Sequence, residues 1–442
     1  MELRDLQKKV VNDSIDYINS KNKNGGICIC PTGFGKSIVI ADICTKVGNN
    51  ILVLQPSKEL LEQNFNKFNI FSSEKAAIYS ASFGKKQKNR VTYATLGSIK
   101  DYSIFEDVSL LIIDECHLYS TTSDGMLKKL LSNYKKIKVI GFTATPFKLR
   151  SISLGNFFSS EIFPITRIRG SVFKHIISKV EISENIQYWA KLEYKSIKIE
   201  LDLKLNSTGM DFTVDSLLKA DRTLKSTIIE SLKELEGKTI VFVSSVNEAE
   251  NMSKICNNSS FVSANTPKKE RENILNNFKN GSIDTVFNVG ILTTGFDFPE
   301  LKNVILARPT NSLALYYQMV GRVCRIGVSK NKGNVIDLAG LIEKFGIVEE
   351  LNFPIIDNLM YICSKSKFIS KEPIKAFESP FDTVSDIESH GEVEFTFGKH
   401  KGTKIKDIPK YYLEWVIENV TGFKEIVISC KKYLESLKVN SI

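Results

Sequence analysis

The run CPTGFGKS at residues 30–37 decides the fold of this chain. It follows the apolar stretch GGICIC (25–30) and opens a helical stretch, so a short turn joins a strand to a helix. Gly33 and Gly35 allow backbone N–H groups to face phosphates at a helix N-terminus, where partial positive charge favours anions. Cys30 stands where the simplest pattern has glycine. The run predicts a variant phosphate-binding loop, and a glycine turn without nucleotide is the alternative.

Two side chains at the end of this loop suit nucleotide chemistry. We expect Lys36 to reach the β- and γ-phosphates of ATP and Ser37 to place its hydroxyl on Mg²⁺. The residues expected to hold the nucleotide here are Pro31, Thr32, Gly33, Phe34, Gly35, Lys36 and Ser37.

A second apolar run, LLIID, ends in DECH (114–117). Open parallel sheets bind ligands at the carboxyl ends of their strands. We expect Asp114 to hold Mg²⁺ through water and Glu115 to activate the attacking water as general base. His117 has no second His or Cys at a zinc-ligand spacing, so a polar link to a neighbouring strand is the better role.

Short apolar runs alternate with helix-like stretches twice along the chain, which predicts two tandem doubly wound parallel α/β domains. Between them, alternation in ISKVEIS and YKSIKIELDLKL predicts antiparallel strands of a connector with an accessory hairpin or small subdomain. The predicted divisions are 1–150 for the first domain, 151–220 for the connector, 221–363 for the second domain, 364–392 for a polar linker and 393–442 for a small basic module.

Composition agrees with an ordinary globular chain. Of 442 residues, 42% are hydrophobic and 25% charged, and the eight cysteines are scattered, so no disulfide framework is expected. No apolar run is long enough to span a membrane, and the first residues lack the apolar core of a secretory signal. We expect a cytoplasmic protein, in the host cell if the chain is viral. The net charge of +10 favours a polyanionic partner.

Four runs in order, CPTGFGKS, DECH, GFTATP and QMVGRVCR, resemble motifs I, II, III and VI of superfamily 2 helicases. The resemblance covers about residues 1–345 and implies two RecA-like domains that share one ATP site with Mg²⁺. It implies an ATP hydrolase coupled to movement along nucleic acid.

The resemblance also implies roles for residues outside the loop. LRDLQ near the start is similar to the adenine-recognition segment, with Gln7 as base reader and Arg4 as its companion. VGILTTGFDFPE (289–300) resembles motif V, which implies that Gly295 and Asp297 contribute to the nucleotide site.

QMVGRVCR supplies Gln318, Arg322 and Arg325 to the same site. The two arginines are three residues apart, so on a helix they share a face and reach across the cleft to the γ-phosphate.

Two further groups follow from the same resemblance. Thr143 and Thr145 of GFTATP are expected to couple the ATP state to strand movement through His117. The residues implied to contact nucleic acid belong to motifs Ia, Ib, IV and V, and they are Gln55, Pro56, Ser57, Thr95, Ser244 and Thr294.

Among superfamily 2 branches, the DECH run and the segment before QMVGRVCR look most like the UvsW, RecG and restriction-motor groups of DNA helicases. This implies remodelling of branched DNA, by fork regression or branch migration, in replication, recombination or repair. An RNA helicase and the motor subunit of a restriction-type nuclease complex are the alternatives, and RNA as the track is not excluded.

The segment FTFGKHKGTKIKDIPKYYLEWVIEN (395–419) resembles the small module that follows exonuclease X-like nucleases. Residues 398–410 hold five lysines against one acid. Basic residues beside aromatics suit phosphate contact and base stacking. Tyr412, Trp415 and Val416 instead suit one face of a core helix, and a protein partner of the module is a further possibility. The candidate phosphate contacts are Lys399, His400, Lys401 and Lys404.

Two other classes of function are weighed against a motor. A nuclease would need a carboxylate cluster in the tail, where residues 395–410 offer only Asp407. A nucleotide-dependent binding switch would keep the phosphate loop but would need neither Glu115 nor the two arginines.

Overall fold

The protein is described from a computed structural model. The residues that it describes are 2–21, 25–119, 126–134, 137–151, 160–164, 173–207, 211–293, 296–356, 359–360, 362–364, 367–368, 374–375, 393–395, 398–420, 426–427, 429–431 and 433–434. The backbone contacts divide the chain into two compact units, Met1–Asn352 and Phe353–Ile442.

The first sheet and its helices come from the N-terminal part of the first unit. The elements are α1 (Asp5–Asn19), β1 (Gly25–Ile29), α2 (Lys36–Lys46), β2 (Ile51–Gln55), α3 (Lys58–Phe71), β3 (Ala77–Ser80), β4 (Lys85–Lys86), β5 (Val91–Thr95), β6 (Leu110–Ile113), α4 (Met126–Ser132), β7 (Lys138–Thr143), β8 (Phe147–Ser151), β9 (Ser160–Pro164) and β10 (Phe173–Lys179).

The strand order in the first sheet is β10-β1-β7-β6-β2-β5-β3-β4, and every pair is parallel except the β3–β4 edge. The residues of β1, β2 and β6 are all buried, as expected for strands covered on both faces. Because β1, β6 and β7 are neighbours, the loop after β1 and the DECH run after β6 meet at one edge of the sheet.

The second sheet lies in the remaining part of the first unit, whose elements are α5 (Ile182–Asn185), β11 (Lys191–Ser196), α6 (Val214–Glu234), β12 (Thr239–Phe242), α7 (Val246–Ile255), β13 (Ser259–Ser263), α8 (Lys268–Asn280), β14 (Thr285–Val289), β15 (Asn303–Leu306), α9 (Leu313–Val320), β16 (Lys332–Asp337), α10 (Leu341–Phe345) and, outside this sheet, β17 (Leu351–Asn352). Its order is β11-β16-β15-β12-β14-β13, with all pairs parallel. Two RecA-like parallel sheets are therefore present, which confirms the predicted fold class.

The prediction of antiparallel strands in ISKVEIS and YKSIKIELDLKL was wrong. β10 pairs parallel with β1 at the edge of the first sheet, and β11 pairs parallel with β16 at the edge of the second. Alternation does not specify strand direction, and the alternating runs overlap these strands only at residues 177–179 and 194–196. The antiparallel hairpin of this region is β8 with β9.

The second unit contains β18 (Ile355–Ile356), β19 (Leu359–Met360), β20 (Cys363–Ser364), β21 (Lys367–Phe368), β22 (Ile374–Lys375) and α11 (Lys410–Asn419). Most of the predicted linker 364–392 lies outside the described residues. The module beyond it has a core formed by Phe395, Ile405, Ile408, Leu413, Val416, Ile426, Cys430 and Leu434.

The aromatic side chains of α11 do not all lie on one face. Tyr412 packs against this core, whereas Trp415 and Tyr411 are 50% and 66% exposed. Leu413 and Val416 are fully buried instead. Of the alternative core face made of Tyr412, Trp415 and Val416, Tyr412 and Val416 lie against the core, whereas Trp415 is half exposed. Among the described helices of the whole chain, none is long and apolar enough to cross a membrane.

Candidate active site

The phosphate loop lies between β1 and α2 and depends on two left-handed glycines. Gly33 and Gly35 have φ angles of 72° and 89°, which residues with a side chain rarely adopt. A Cβ at Gly35 would lie 2.7 Å from Gln7 Nε2, so a side chain there is excluded by both backbone and space. The α2 N-terminus thus begins directly at the predicted phosphate site.

The start of α1 is tied to this loop. Gln7 Nε2 donates to the carbonyl of Phe34 at 2.7 Å, and the guanidinium of Arg4 donates to the same oxygen. The Arg4 guanidinium also lies 3.9 Å from the ring centre of Tyr188. Tyr188 lines the same cleft as the loop, and no sequence motif pointed to it. Gln7 and Arg4 are therefore placed beside the loop, as the resemblance implied.

The two carboxylates after β6 occupy different surroundings. Asp114 is 3% exposed, and its Oδ2 accepts a hydrogen bond from Asn64 Nδ2 at 2.8 Å. Glu115 Oε1 lies 3.1 Å from Lys36 Nζ, and Glu115 has the unusual φ of 44° for a non-glycine residue. Asn64 lies on α3 and was not predicted, although it follows directly on the run QPSKELLEQ.

Burial and these contacts shift the pKa values of the charged groups in the site. Burial, and next the charge of Glu115, raise the pKa of Asp114 to about 6. Burial alone would raise the pKa of Glu115, but Lys36 and then His117 outweigh it and the net direction is downward. Burial would likewise lower the pKa of Lys36, but Glu115 and Asp114 reverse it. Lys36 and Glu115 therefore form a charged pair.

The two arginines of QMVGRVCR follow α9 and do not lie on it. The helix ends at Val320 with Gly321 as its C-cap, so the prediction that Arg322 and Arg325 share a helix face was wrong. Both side chains nevertheless line the cleft that contains the phosphate loop. Arg322 donates to the carbonyl of Phe296 at 2.6 Å, and Arg325 forms an ion pair with Asp297.

Burial changes the pKa of both guanidinium groups in the same direction. It lowers the pKa of Arg322, and it lowers the pKa of Arg325 to about 10. A pKa of about 10 keeps the guanidinium of Arg325 charged at neutral pH.

A hydrogen-bonded chain joins the second sheet to the first through His117. Gln318 Nε2 lies 3.3 Å from His117 Nε2, and His117 Nδ1 lies 2.9 Å from Thr143 Oγ1. Thr143 Oγ1 in turn donates to the carbonyl of Thr145 at 3.1 Å. The three residues expected to couple the halves are therefore connected in space, with Gln318 as their contact on the second half.

Two residues outside the phosphate loop also bond to the backbone of Thr32 at the cleft. Its backbone N–H donates to the hydroxyl of Tyr317 at 3.0 Å, and its carbonyl accepts from Trp189 Nε1 at 3.0 Å. The resulting cleft has a volume of about 310 Å³, and residues after β1 and β6 line it together with residues around α9. Tyr317 and Trp189 were missed from the sequence because nothing local marks a residue that touches a loop far away in the chain.

The predicted nucleic-acid contacts are spread over several places. Gln55 is 1% exposed and accepts from Asn64, so it lies beneath the ATP site. Ser57 caps α3 by accepting from the N–H of Leu60, beside the partly exposed Pro56. Thr95 lies 2.7 Å from Ser98 through their hydroxyl oxygens. 

The remaining predicted contacts lie in the second half and in the second unit. The N–H of Ser244 donates to Asp221. Thr294 and Gly295 lie outside the described residues. In the second unit, Lys399 and Lys401 are exposed, Lys404 is partly exposed, and the His400 ring centre lies 4.5 Å from that of Tyr412.

Two family matches agree with this arrangement. Residues 1–148 match the family described as the res subunit of type III restriction enzymes, and residues 219–327 match the helicase conserved C-terminal domain. In this order, the two matches indicate a superfamily 2 helicase.

Single proteins related to this chain share low sequence identity with it. The chain is 26% identical over 76% of its length to IRC3 of Saccharomyces cerevisiae, whose name places it among ATP-dependent helicases. It is 24% identical over 73% of its length to the endonuclease subunit of the type I restriction enzyme EcoAI of Escherichia coli. These matches span 51% and 44% of the relatives' lengths, so the chain spans about half of each.

Among solved structures, the type ISP restriction-modification enzyme LlaBIII bound to DNA superposes with a TM-score of 0.57 and 16% identity. This similarity covers 76% of the present chain and 27% of that enzyme, and it supports the fold.

Proposed function

We propose that this chain is an ATP-driven DNA helicase or translocase. The observation that carries the proposal is a single cleft lined from both halves of the first unit. Lys36, Asp114 and Glu115 come from the first sheet, and Arg322 and Arg325 come from the second half. Neither half has all the groups that phosphoryl transfer to water requires.

The contacts of Lys36 suggest how the site is switched on. In the structure, Lys36 Nζ lies 3.1 Å from Glu115 Oε1. The phosphates of ATP would draw the ammonium of Lys36 toward the loop, which leaves the Glu115 carboxylate to accept a proton from the attacking water. Arg322 and Arg325 would then stabilise the negative charge that develops on the transferred phosphoryl group.

The donors at the loop fit Mg²⁺. Asp114 offers a carboxylate held in place by Asn64, and Ser37 offers a hydroxyl at the start of α2. Oxygen donors of these types are the ones that Mg²⁺ prefers. When bound, the ion would neutralise charge on the β- and γ-phosphates.

The nucleotide site as a whole is proposed to include the loop residues 31–37, Gly295, Asp297 and Gln318. Gln7 and Arg4 would read the adenine edge beside Tyr188. Hydrolysis would weaken the contacts across the cleft, and the opening of the two halves would move a strand through the relay of His117, Thr143 and Thr145.

We favour DNA as the track, and remodelling of branched DNA as the task. The EcoAI subunit is part of a restriction enzyme, so similarity to it favours DNA as the track. The net charge of +10 suits a polyanion but does not separate DNA from RNA. Contacts would come from Pro56, Ser57, Thr95, Ser244 and Thr294, with weak sequence preference. Gln55 is buried and is left out of this set.

The second unit is proposed to add contacts to duplex or branched DNA. Lys399, His400, Lys401 and Lys404 would bind phosphates, and the exposed ring of Trp415 suits stacking on an unpaired base. If the module instead docks a protein, substitution of Trp415 by Ala would leave affinity for single-stranded DNA unchanged.

A second candidate function is the motor part of a restriction-type complex. The similarity to the EcoAI subunit favours it, because that relative belongs to a nuclease. A plasmid assay with Mg²⁺ and the tagged chain, purified together with any proteins bound to it, separates the two proposals, since a motor without a nuclease partner leaves the plasmid uncut.

The proposal is tested by ATP hydrolysis in the presence of single-stranded DNA, duplex, fork, four-way junction and RNA ligands. We expect repeated turnover that DNA stimulates, most strongly with branched DNA. Stimulation by RNA alone would make the chain an RNA helicase. Absence of turnover with every ligand would refute the motor and leave a binding switch.

A further inference from the structure

One face of α3 carries three polar side chains that contact the second half of the first unit. Glu59, Gln63 and Lys67 follow one another at intervals of four residues, which places them along one side of the helix. Glu59 accepts from Arg271 of α8 at 2.9 Å. Gln63 and Lys67 both contact Asp297.

The two oxygens of the Asp297 carboxylate are bound from opposite sides of the cleft. Oδ2 accepts from Gln63 Nε2 at 2.6 Å and lies 3.5 Å from Lys67 Nζ. Oδ1 accepts from the guanidinium of Arg325. The carboxylate therefore bridges α3 of the first half and the second arginine of the ATP site.

These four side chains are part of the ATP cleft itself. Gln63, Lys67, Asp297 and Arg325 all line it. An ion pair at an open surface contributes little, but here Lys67 and Asp297 are only 37% and 28% exposed and Gln63 adds a neutral donor. A charged network of this kind fixes the direction of a guanidinium better than one pair alone.

The same helix also holds the metal carboxylate. Asn64, the residue after Gln63, donates to Asp114. α3 begins at Lys58 and is capped by Ser57, which is proposed to contact the nucleic-acid backbone. A small shift of α3 would therefore act on Asp114 and on Asp297 together.

We infer that Gln63 and Lys67 are positioning residues for ATP hydrolysis: from α3 they hold the Asp297 carboxylate, and Asp297 in turn aims Arg325 into the cleft. This inference rests on the proposed ATPase function. Through these contacts, α3 orients Arg325 only when the two halves are closed.

The test is the steady-state rate of ATP hydrolysis with single-stranded DNA for Lys67→Met, Lys67→Arg and the control Asn66→Ala. Asn66 is an exposed neighbour on the same helix. We expect Lys67→Met to lower kcat by roughly tenfold while KM for ATP changes by less than about threefold. Lys67→Arg should restore most of the rate, and Asn66→Ala should match the wild type.

A double substitution separates positioning from a general structural role. If Lys67 acts through Arg325, Lys67→Met should have no further effect on kcat in a chain that already carries Arg325→Ala. Equal losses in both backgrounds would overturn the inference, because Lys67 would then act on its own. A change in KM alone would overturn it too.

Thermal unfolding shows whether each variant is folded. If Lys67→Met does not fold, Gln63→Ala takes its place in the same comparison, since it removes the shorter contact to Asp297. If the folded variant hydrolyses ATP at the wild-type rate, this inference is overturned but the proposed function is not. A wild-type chain that never hydrolyses ATP overturns the proposed function as well.

Discussion

Replacing Gly321 by alanine tests whether the closed cleft is the form that hydrolyses ATP. A Cβ at this position would lie 2.5 Å from Thr32 Cγ2, 3.1 Å from Thr32 Oγ1 and 3.0 Å from the carbonyl oxygen of Tyr317. Gly321 has a φ of −58°, so alanine fits the backbone and the substitution adds only the steric contact.

The size of the effect follows from these distances. Carbon atoms pack at about 3.5–4.0 Å, so Thr32 and Gly321 must separate by roughly 1 Å to admit the methyl group. Thr32 belongs to the phosphate loop and Gly321 immediately precedes Arg322. A misplacement of about 1 Å between reacting groups can cost ~10²-fold in rate, and we expect kcat to fall by roughly 10- to 100-fold.

The assay is steady-state ATP hydrolysis with single-stranded DNA, together with thermal unfolding to show that the variant is folded. Gly48→Ala is the matched control, because a Cβ at Gly48 meets nothing within 4 Å. Thr32→Ser removes the nearest atom, Cγ2, and should restore part of the rate when combined with Gly321→Ala. Wild-type turnover by folded Gly321→Ala would refute the requirement for this contact.

Three further predictions concern separate parts of the proposed machine. Glu115→Gln should abolish turnover but keep ATP binding, because the amide cannot act as a base, and a radiolabelled ATP filter assay with a hydrolysis time course checks both. Arg322→Ala should cut turnover by roughly 10³-fold or more and leave DNA binding without ATP unchanged; loss of DNA binding at a normal rate would make it a strand contact. Neutralising three lysines of the second unit should flatten the slope of log affinity for forked DNA against log salt by up to roughly three, and an unchanged slope would exclude phosphate contact by Lys399, Lys401 and Lys404.

The predicted ATP site shows which features are local in the sequence. The glycines of the phosphate loop and the residues that follow them lie within a few positions of one another in the sequence. Their spacing alone therefore predicts the strand, turn and helix around Lys36. Asp114 and Glu115 follow a continuous apolar run, and that run predicts a buried parallel strand.

The contacts across the cleft depend on tertiary structure. Gln63 and Asp297 are 234 residues apart in the chain, and no local pattern indicates that they meet. Gln55 shows the same limit, because its place after a strand resembled a surface motif although its side chain bonds inward to Asn64.

The pairing of the edge strands also depends on tertiary structure. β10 contains only the first three residues of the alternating run 177–183, and its parallel direction follows from pairing with β1. The sequence by itself determined the strands, the phosphate loop and the carboxylates, since periodicity and spacing record short-range geometry. The tertiary structure decided which strands pair, how the arginines follow α9 and which residues hold Asp297, because those contacts form only when distant segments are packed together.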